Sequence, residues 1–209
     1  MSLLVDHKLV LIQQALAKLS LNLERSQLEK LDRYLDLLVK WNKTYNLTAI
    51  KNKTDMLERH LIDSLSVARY IEQQDLLDVG SGAGLPGIPL SILFPEKKLS
   101  LLDSNGKKTR FLNHAKRTLA LNNVTVLTER VESLQVELKF SAIISRAFSD
   151  IGDMIDKTKH LLQSDGVIYA MKGQYPQMEL ANIDFPYHVE KLTWQGIETQ
   201  RHLVVIEIK

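Results

Sequence analysis

The apolar positions follow two rhythms, one in the first third of the chain and another in the rest. Leu9, Ile12, Leu16 and Leu19 recur at helical spacing, as do Leu28, Leu31, Leu35 and Leu38, with charged residues between them. Such stripes predict two amphipathic helices. The second stripe is shorter than the three or four heptads, roughly, that a coiled coil needs, so packing against the rest of the protein is its expected use. A third helix is expected over 54–70, with Asn52 or Thr54 as its N-cap. Past 71–74 the pattern shortens into β-rich runs at 75–79, 99–102, 124–128, 142–145, 167–171 and 203–208. The first five are separated by stretches long enough for crossover helices, such as 107–121 and 151–162. Near the end, 189–194 and 202–208 are both strand-like with only 195–201 between them, which favours an antiparallel hairpin at a sheet edge.

Together these elements predict an α/β protein: a doubly wound, mostly parallel, seven-stranded sheet with helices on both faces and an N-terminal helical extension. The extension is expected to occupy 1–72 and to pack on a main unit at 73–209. With 209 residues, 44% hydrophobic and 25% charged, the chain is long enough for one such core and no more. No run approaches the roughly 20 apolar residues of a membrane span, and the first apolar segment is broken by Asp6, His7, Lys8 and Lys18, so a protein without signal peptide or membrane contact is expected. The absence of cysteine excludes disulfides, a thiolate metal site and a cysteine nucleophile. The six histidines show no ligand spacing, and no metal is expected. A net charge of +2 gives no global field toward nucleic acid.

Candidate chemistry begins at the end of the first β-run, where Asp78-Val79-Gly80-Ser81-Gly82-Ala83-Gly84 is followed by Leu85-Pro86-Gly87-Ile88-Pro89. Glycines here let the chain turn tightly and let a ligand approach the main chain, as in nucleotide-type sites. Gly82, Gly84 and Gly87 also satisfy the dinucleotide fingerprint G-x-G-x-x-G, so a nicotinamide or flavin enzyme is a rival reading. Two features favour a cationic ligand over a pyrophosphate. Asp78 places a carboxylate at the mouth of the loop, and Pro86 and Pro89 remove N–H donors from the start of the following helix. S-adenosylmethionine, with ammonium and sulfonium groups and no phosphate, fits that description. Asp103, at the end of the second strand, is placed to accept hydrogen bonds from ribose hydroxyls; the alternative is an N-cap for the next helix. After the third strand, Glu129-Arg130-Val131-Glu132 falls where an adenine would lie, although Glu132 could equally be a solvated surface residue.

Beyond the loop, five separated strings resemble one family: Lys40 to Thr48, Arg59-His60-Leu61-Ile62-Asp63-Ser64, Gly84 to Pro89, Ile144-Ser145-Arg146-Ala147-Phe148, and Arg201-His202-Leu203-Val204-Val205. The chain is similar over nearly its whole length to the ribosomal RNA small-subunit methyltransferase G family, also called glucose-inhibited division protein B. This is a family of class I, Rossmann-like, S-adenosylmethionine-dependent methyltransferases. The resemblance implies N7 methylation of one guanosine in 16S rRNA, as naked RNA or in the small ribosomal subunit, in the bacterial cytoplasm by a monomer. It places the cofactor pocket at Gly80, Leu85, Val131, Glu132 and Arg146, to which the reading of the loop adds Asp78, Gly82 and Asp103.

Guanine N7 carries a free lone pair and no proton, so transfer to it needs positioning rather than a general base, and no catalytic dyad is expected. A pyrimidine C5 reaction would call for the missing cysteine. The Asn/Asp-Pro-Pro-aromatic string typical of exocyclic amine methylation is absent where Ser145-Arg146-Ala147-Phe148 stands. Elsewhere two readings stay open. His60 and Asp63 could frame the pocket or be structural. Trp41 and Tyr45 could stack on a base or belong to the core. Lys107, Lys108 and Arg110 form a solvated helix face or touch phosphate, and Lys172 and Arg201 lie near strand ends where RNA contacts would be useful.

Overall fold

The computed structural model describes residues 2–194 and 197–208. Helices α1 (Ser2–Ala17) and α2 (Arg25–Tyr45) form where the leucine stripes lie. Helix α2 starts with the Gln27 side chain accepting the backbone N–H of Glu24 at 3.0 Å, and ends on Asn46 in the left-handed region. Leu31, Leu35 and Leu38 are almost completely buried. At about 1.5–3 kcal/mol each, their burial is sufficient to dock a helix that would be marginal alone.

The expected third helix is helical over most of its length but not uniform. It runs as α3 (Lys53–Met56), a π-helical turn (Leu57–Ile62), α4 (Asp63–Leu65) and a 3₁₀ turn (Ala68–Tyr70). Asn52 is its N-cap, accepting from the N–H of Asp55 at 2.8 Å. Buried Met56 stands five and six residues before Leu61 and Ile62, and Leu65 four and three after them, a spacing too short to separate i+4 from i+5 bonding over a single turn.

Seven strands follow: β1 (Asp75–Val79), β2 (Lys98–Leu102), β3 (Val124–Leu127), β4 (Phe140–Ser145), β5 (Leu162–Lys172), β6 (Tyr187–Trp194) and β7 (Ile197–Glu207). They make one sheet in the order β3-β2-β1-β4-β5-β7-β6. The first five are parallel, and the β6–β7 hairpin adds antiparallel strands at one end. Helices α5 (Gly87–Leu93), α6 (Gly106–Thr118), α7 (Ile151–Thr158) and α8 (Gln177–Leu180) connect them. The order reverses between β1 and β4, which opens a crevice at the carboxyl ends of the strands.

The sheet has a separate apolar cluster on each face. One contains Leu16, Leu35, Leu61, Leu76, Leu101 and Ile144, so the N-terminal helices share a core with the sheet. The other gathers Leu77, Val79, Ile143, Ile155 and Ile168. The link between helices and sheet is stapled by Lys97, a buried residue whose Nζ donates to the carbonyls of Ile71, Glu72 and Gln73 at 3.0, 3.1 and 3.0 Å. Among the described residues, no helix is long and apolar enough to cross a membrane, and no cluster of three or more His, Asp or Glu side chains is arranged to hold a metal ion.

Candidate functional site

A cleft of about 270 Å³ lies at the carboxyl ends of β1 and β2, where the topology opens the sheet. Its floor is the backbone of Gly80, which leaves β1 at φ +72°. A Cβ on Gly80 would lie 2.5 Å from the Cβ of Ala147, so glycine is required for both conformation and space. The N–H groups of Gly80 and Ser81 donate to the carbonyl of Leu102 at 2.8 and 3.0 Å, tying the loop to β2. On the opposite side, Ser145 Oγ donates to the carbonyl of Val79 at 2.6 Å and accepts from the N–H of Ala147 at 3.0 Å.

Asp103 stands on one wall of the cleft, with little exposure. Its Oδ2 accepts from the N–H of Gly82 at 2.9 Å and its Oδ1 from the N–H of Asn105 at 2.9 Å. The helix cap is Asn105, whose side chain accepts from the N–H of Lys107 at 2.9 Å, so Asp103 faces the cleft rather than capping α6. Lys108, read from sequence as part of a solvated face or a phosphate contact, reaches back to 3.4 Å from Asp103 Oδ2 and joins the lining. Val131 and Glu132 close the far wall, Val131 buried and Glu132 exposed. Phe148, beyond Ala147, completes it; the motif Ser145-Arg146-Ala147-Phe148 contained it without marking it as a wall.

Of the eight residues expected to hold a cofactor, Gly80, Asp103, Val131 and Glu132 line one cleft. The other four stand elsewhere. Gly82 does not line the cleft and meets the site through its N–H, which donates to Asp103. Leu85 is buried beneath the loop. Arg146 points from the end of β4 into a neighbouring cavity and pairs with Asp63.

Asp78 requires a correction. Its carboxyl is not at the mouth of the loop but under it, 1% exposed, with Oδ2 accepting the N–H of Gly87 at 2.9 Å. Burial raises its pKa from the usual carboxylate range to about 7, against the lowering effect of the Gly87 N–H. The reason lies in the packing of α5: a Cβ on Gly87 would meet Leu101 Cδ2 at 2.1 Å and Asp78 Oδ2 at 2.7 Å, so this glycine serves helix–sheet contact. That geometry weighs against the dinucleotide fingerprint, because the N–H at the start of α5 is already occupied by a carboxyl group and cannot receive a pyrophosphate.

Sequence reasoning missed Tyr34. Its hydroxyl, on the fully buried side chain of this α2 residue, donates to the carbonyl of Ala83 at 2.8 Å and so anchors the glycine loop to the N-terminal extension. Burial raises its pKa. The available signal was a polar atom inside the stripe of Leu31, Leu35 and Leu38, since a buried hydroxyl requires a partner.

Next to the cleft, a cavity of about 180 Å³ is lined by Arg146, Lys172, Arg201, His202 and Asp63. Lys172 Nζ lies 2.7 Å from Glu179 Oε2 and donates to the carbonyls of Phe148 and Ser149 at 3.3 and 3.0 Å. His60 is buried, with Nε2 at 2.7 Å from Thr48 Oγ1, and desolvation with nearby Arg146 lowers its pKa to about 4. It is therefore neutral near pH 7. Trp41 stacks on Tyr45 at 5.1 Å between ring centres and packs on Phe111 and His114, which favours the core reading of both aromatics.

Strand order, crevice and glycine loop together define the class I methyltransferase fold. The same fold is found in a SAM-dependent methyltransferase from Aquifex aeolicus, with a TM-score of 0.56, 17% identity, and coverage of 74% of this chain and 93% of that one. An O-methyltransferase of tomaymycin synthesis from Streptomyces achromogenes gives a TM-score of 0.57 at 12% identity, covering 84% of this chain and 90% of that one. Sequence narrows the class further. The profile of the rRNA small subunit methyltransferase G family matches residues 27–204. Ribosomal RNA small subunit methyltransferase G of Pseudomonas syringae pv. syringae is 48% identical over 192 residues, 90% of each chain. The Pseudomonas aeruginosa protein of the same name is 46% identical over 210 residues, 99% of this chain and 98% of that one. The chain belongs to the rRNA small subunit methyltransferase G family.

Proposed function

We propose that this protein transfers the methyl group of S-adenosylmethionine to N7 of a guanosine in 16S ribosomal RNA. Family membership carries the substrate class, and the cleft at Gly80 and Asp103 carries the cofactor. The residues present suit that cofactor. A Cβ-free floor lets a ligand approach the main chain, a carboxylate stands ready for hydroxyl donors, and Val131 and Phe148 offer apolar surface for a ring. Gly80, Asp103, Val131 and Glu132 would hold it directly; Asp78, Gly82 and Leu85 act by shaping and bracing the loop, and Arg146 lines the neighbouring cavity.

When bound, S-adenosylmethionine supplies an electrophilic methyl carbon whose bond to sulfur breaks as the bond to N7 forms, with the electron pair leaving on sulfur. The nucleophile loses no proton, so the chain's residues need only orient the two partners and exclude water. His60 lines neither the cofactor cleft nor the neighbouring cavity, and its Nε2 is engaged by Thr48. The extension at 1–72 is read as part of the substrate-side scaffold of the unit at 73–209. The protein is read as a monomer acting without metal.

The test is methyl transfer from labelled S-adenosylmethionine to small-subunit RNA or subunits, followed by chain cleavage specific for N7-methylguanosine. We expect incorporation at one guanosine. Incorporation at another atom or into no RNA refutes the reading. A parallel salt titration should weaken RNA binding steeply and barely move cofactor binding, since Lys and Arg contacts to phosphate release counterions.

A further inference from the structure

Outside the cofactor cleft, one buried carboxylate is shared by two arginines from distant parts of the chain. Asp63, whose side chain is 7% exposed, has Oδ2 at 3.1 Å from Arg146 Nη1 at the end of β4 and Oδ1 at 2.9 Å from Arg201 Nε in β7. These are ion-pair distances without hydrogen-bond alignment, since buried Asp63 Oδ1 and Arg146 Nη1 each complete no hydrogen bond. A carboxylate so enclosed is an inefficient stabiliser, because desolvation cancels much of the attraction. It does fix where two guanidiniums stand. Asp63 is delivered there by the π turn Leu57–Ile62, whose i→i+5 bonding rotates all that follows relative to an α-helical path.

The two guanidiniums keep faces toward the cavity they line with Lys172 and His202. Arg146 is 26% and Arg201 39% exposed at the side chain, so both retain free donors. Lys172 is already matched by Glu179. The cavity adjoins the cofactor cleft through consecutive residues: Arg146 lines the one, Ala147 and Phe148 the other. Among the described residues, its apolar side chains are those of Met171 and Leu192, with no aromatic pair to sandwich a base.

We infer that Asp63 is a positioning residue for methyl transfer, holding Arg146 and Arg201 as one pre-ordered pair that grips an RNA phosphate beside the target nucleotide. The inference rests on the rRNA methyltransferase reading above. Two free arginine side chains would lose rotamer freedom on gripping a phosphate, and anchoring both on one carboxylate beforehand removes that cost from the binding step. The grip sets the target base against the cleft, so its loss falls on the reacting geometry more than on total RNA affinity.

Asp63→Asn tests this with a sign that charge alone reverses. Removing a negative charge from a basic cavity should, by net field, leave RNA affinity unchanged or tighter. Positioning instead demands a fall in kcat of about tenfold or more at saturating cofactor and RNA. The expected result is that fall, with cofactor affinity unchanged and RNA affinity changed by a smaller factor than kcat. In an Arg201→Ala background, Asp63→Asn should cost less than it does alone, because one half of the pair it orders is already gone and only Arg146 is left to lose its anchor. If wild type transfers methyl to RNA and Asp63→Asn keeps wild-type kcat, or turns over faster, the inference is overturned while the function stands. Additive losses in the double variant, or a loss confined to cofactor affinity, overturn it equally. Should Asp63→Asn not fold, Asp63→Glu keeps the charge but displaces it by one methylene: net field then predicts wild-type kcat, and positioning predicts the same fall. Absence of transfer by the wild-type protein refutes the function itself and the inference with it.

Discussion

Replacing Asp103 by alanine separates two jobs that the structure assigns to one carboxylate. In the free protein its oxygens accept the N–H groups of Gly82 and Asn105, each at 2.9 Å. Hydrogen bonds to a charged group contribute about 1.5–3 kcal/mol each. Both bonds are part-buried, but Asn105 is an exposed residue whose N–H water reaches once the carboxylate is gone, so most of the loss comes from the Gly82 bond. A chain of this size shifts by about 2–4 °C per kcal/mol, which gives a fall in melting temperature of about 3–12 °C without ligand. If the same carboxylate also accepts ribose hydroxyls, cofactor binding should weaken by a further 1.5–3 kcal/mol or so, about 13- to 160-fold in Kd. Thermal unfolding of the free protein reads the first quantity, and calorimetric titration with S-adenosylmethionine at a temperature where the variant is folded reads the second. A lower melting temperature with unchanged Kd would show that Asp103 only staples the loop, and the cofactor assignment would be wrong. Asp103→Asn should fall between, since its amide keeps one acceptor and turns its NH₂ toward a donor.

Two further outcomes follow from buried groups. The Asp78 pKa is raised from 3.8 to about 7 in the folded protein, so the folded state holds that proton more tightly than the unfolded chain does. Its contribution to stability is therefore present below about pH 4 and lost as pH rises through about 7. Asp78→Asn, which can still accept the Gly87 N–H, should gain stability relative to wild type between those limits; an equal difference in melting temperature at both would refute the assignment. Lys97→Met should lower stability by about 1.5–3 kcal/mol or more, because three carbonyls lose a charged donor that water reaches poorly. Melting within about 1 °C of wild type would show that the staple is dispensable.

The order of elements was legible along the chain because it depends on local spacing. Stripes at helical intervals, short β-rich runs and the glycines after Val79 each act within a few residues of themselves. The hairpin was visible in the short gap between its strands for the same reason. Gly80 and Asp103 could be placed together because strand ends in a doubly wound sheet face one crevice.

What only the folded chain decided are the contacts made between segments far apart. No spacing rule could put Asp78 under its loop instead of at its mouth, because that depends on how closely α5 packs on Leu101. Nor could it bring Tyr34 to Ala83 or Lys97 to the carbonyls at 71–73. The same holds for Asp63, whose stripe fits an α-helix as well as the π turn that the chain adopts. Sequence periodicity fixes which face of an element is apolar, whereas the partner of a buried polar group is chosen by tertiary packing, which leaves such a group few partners within reach.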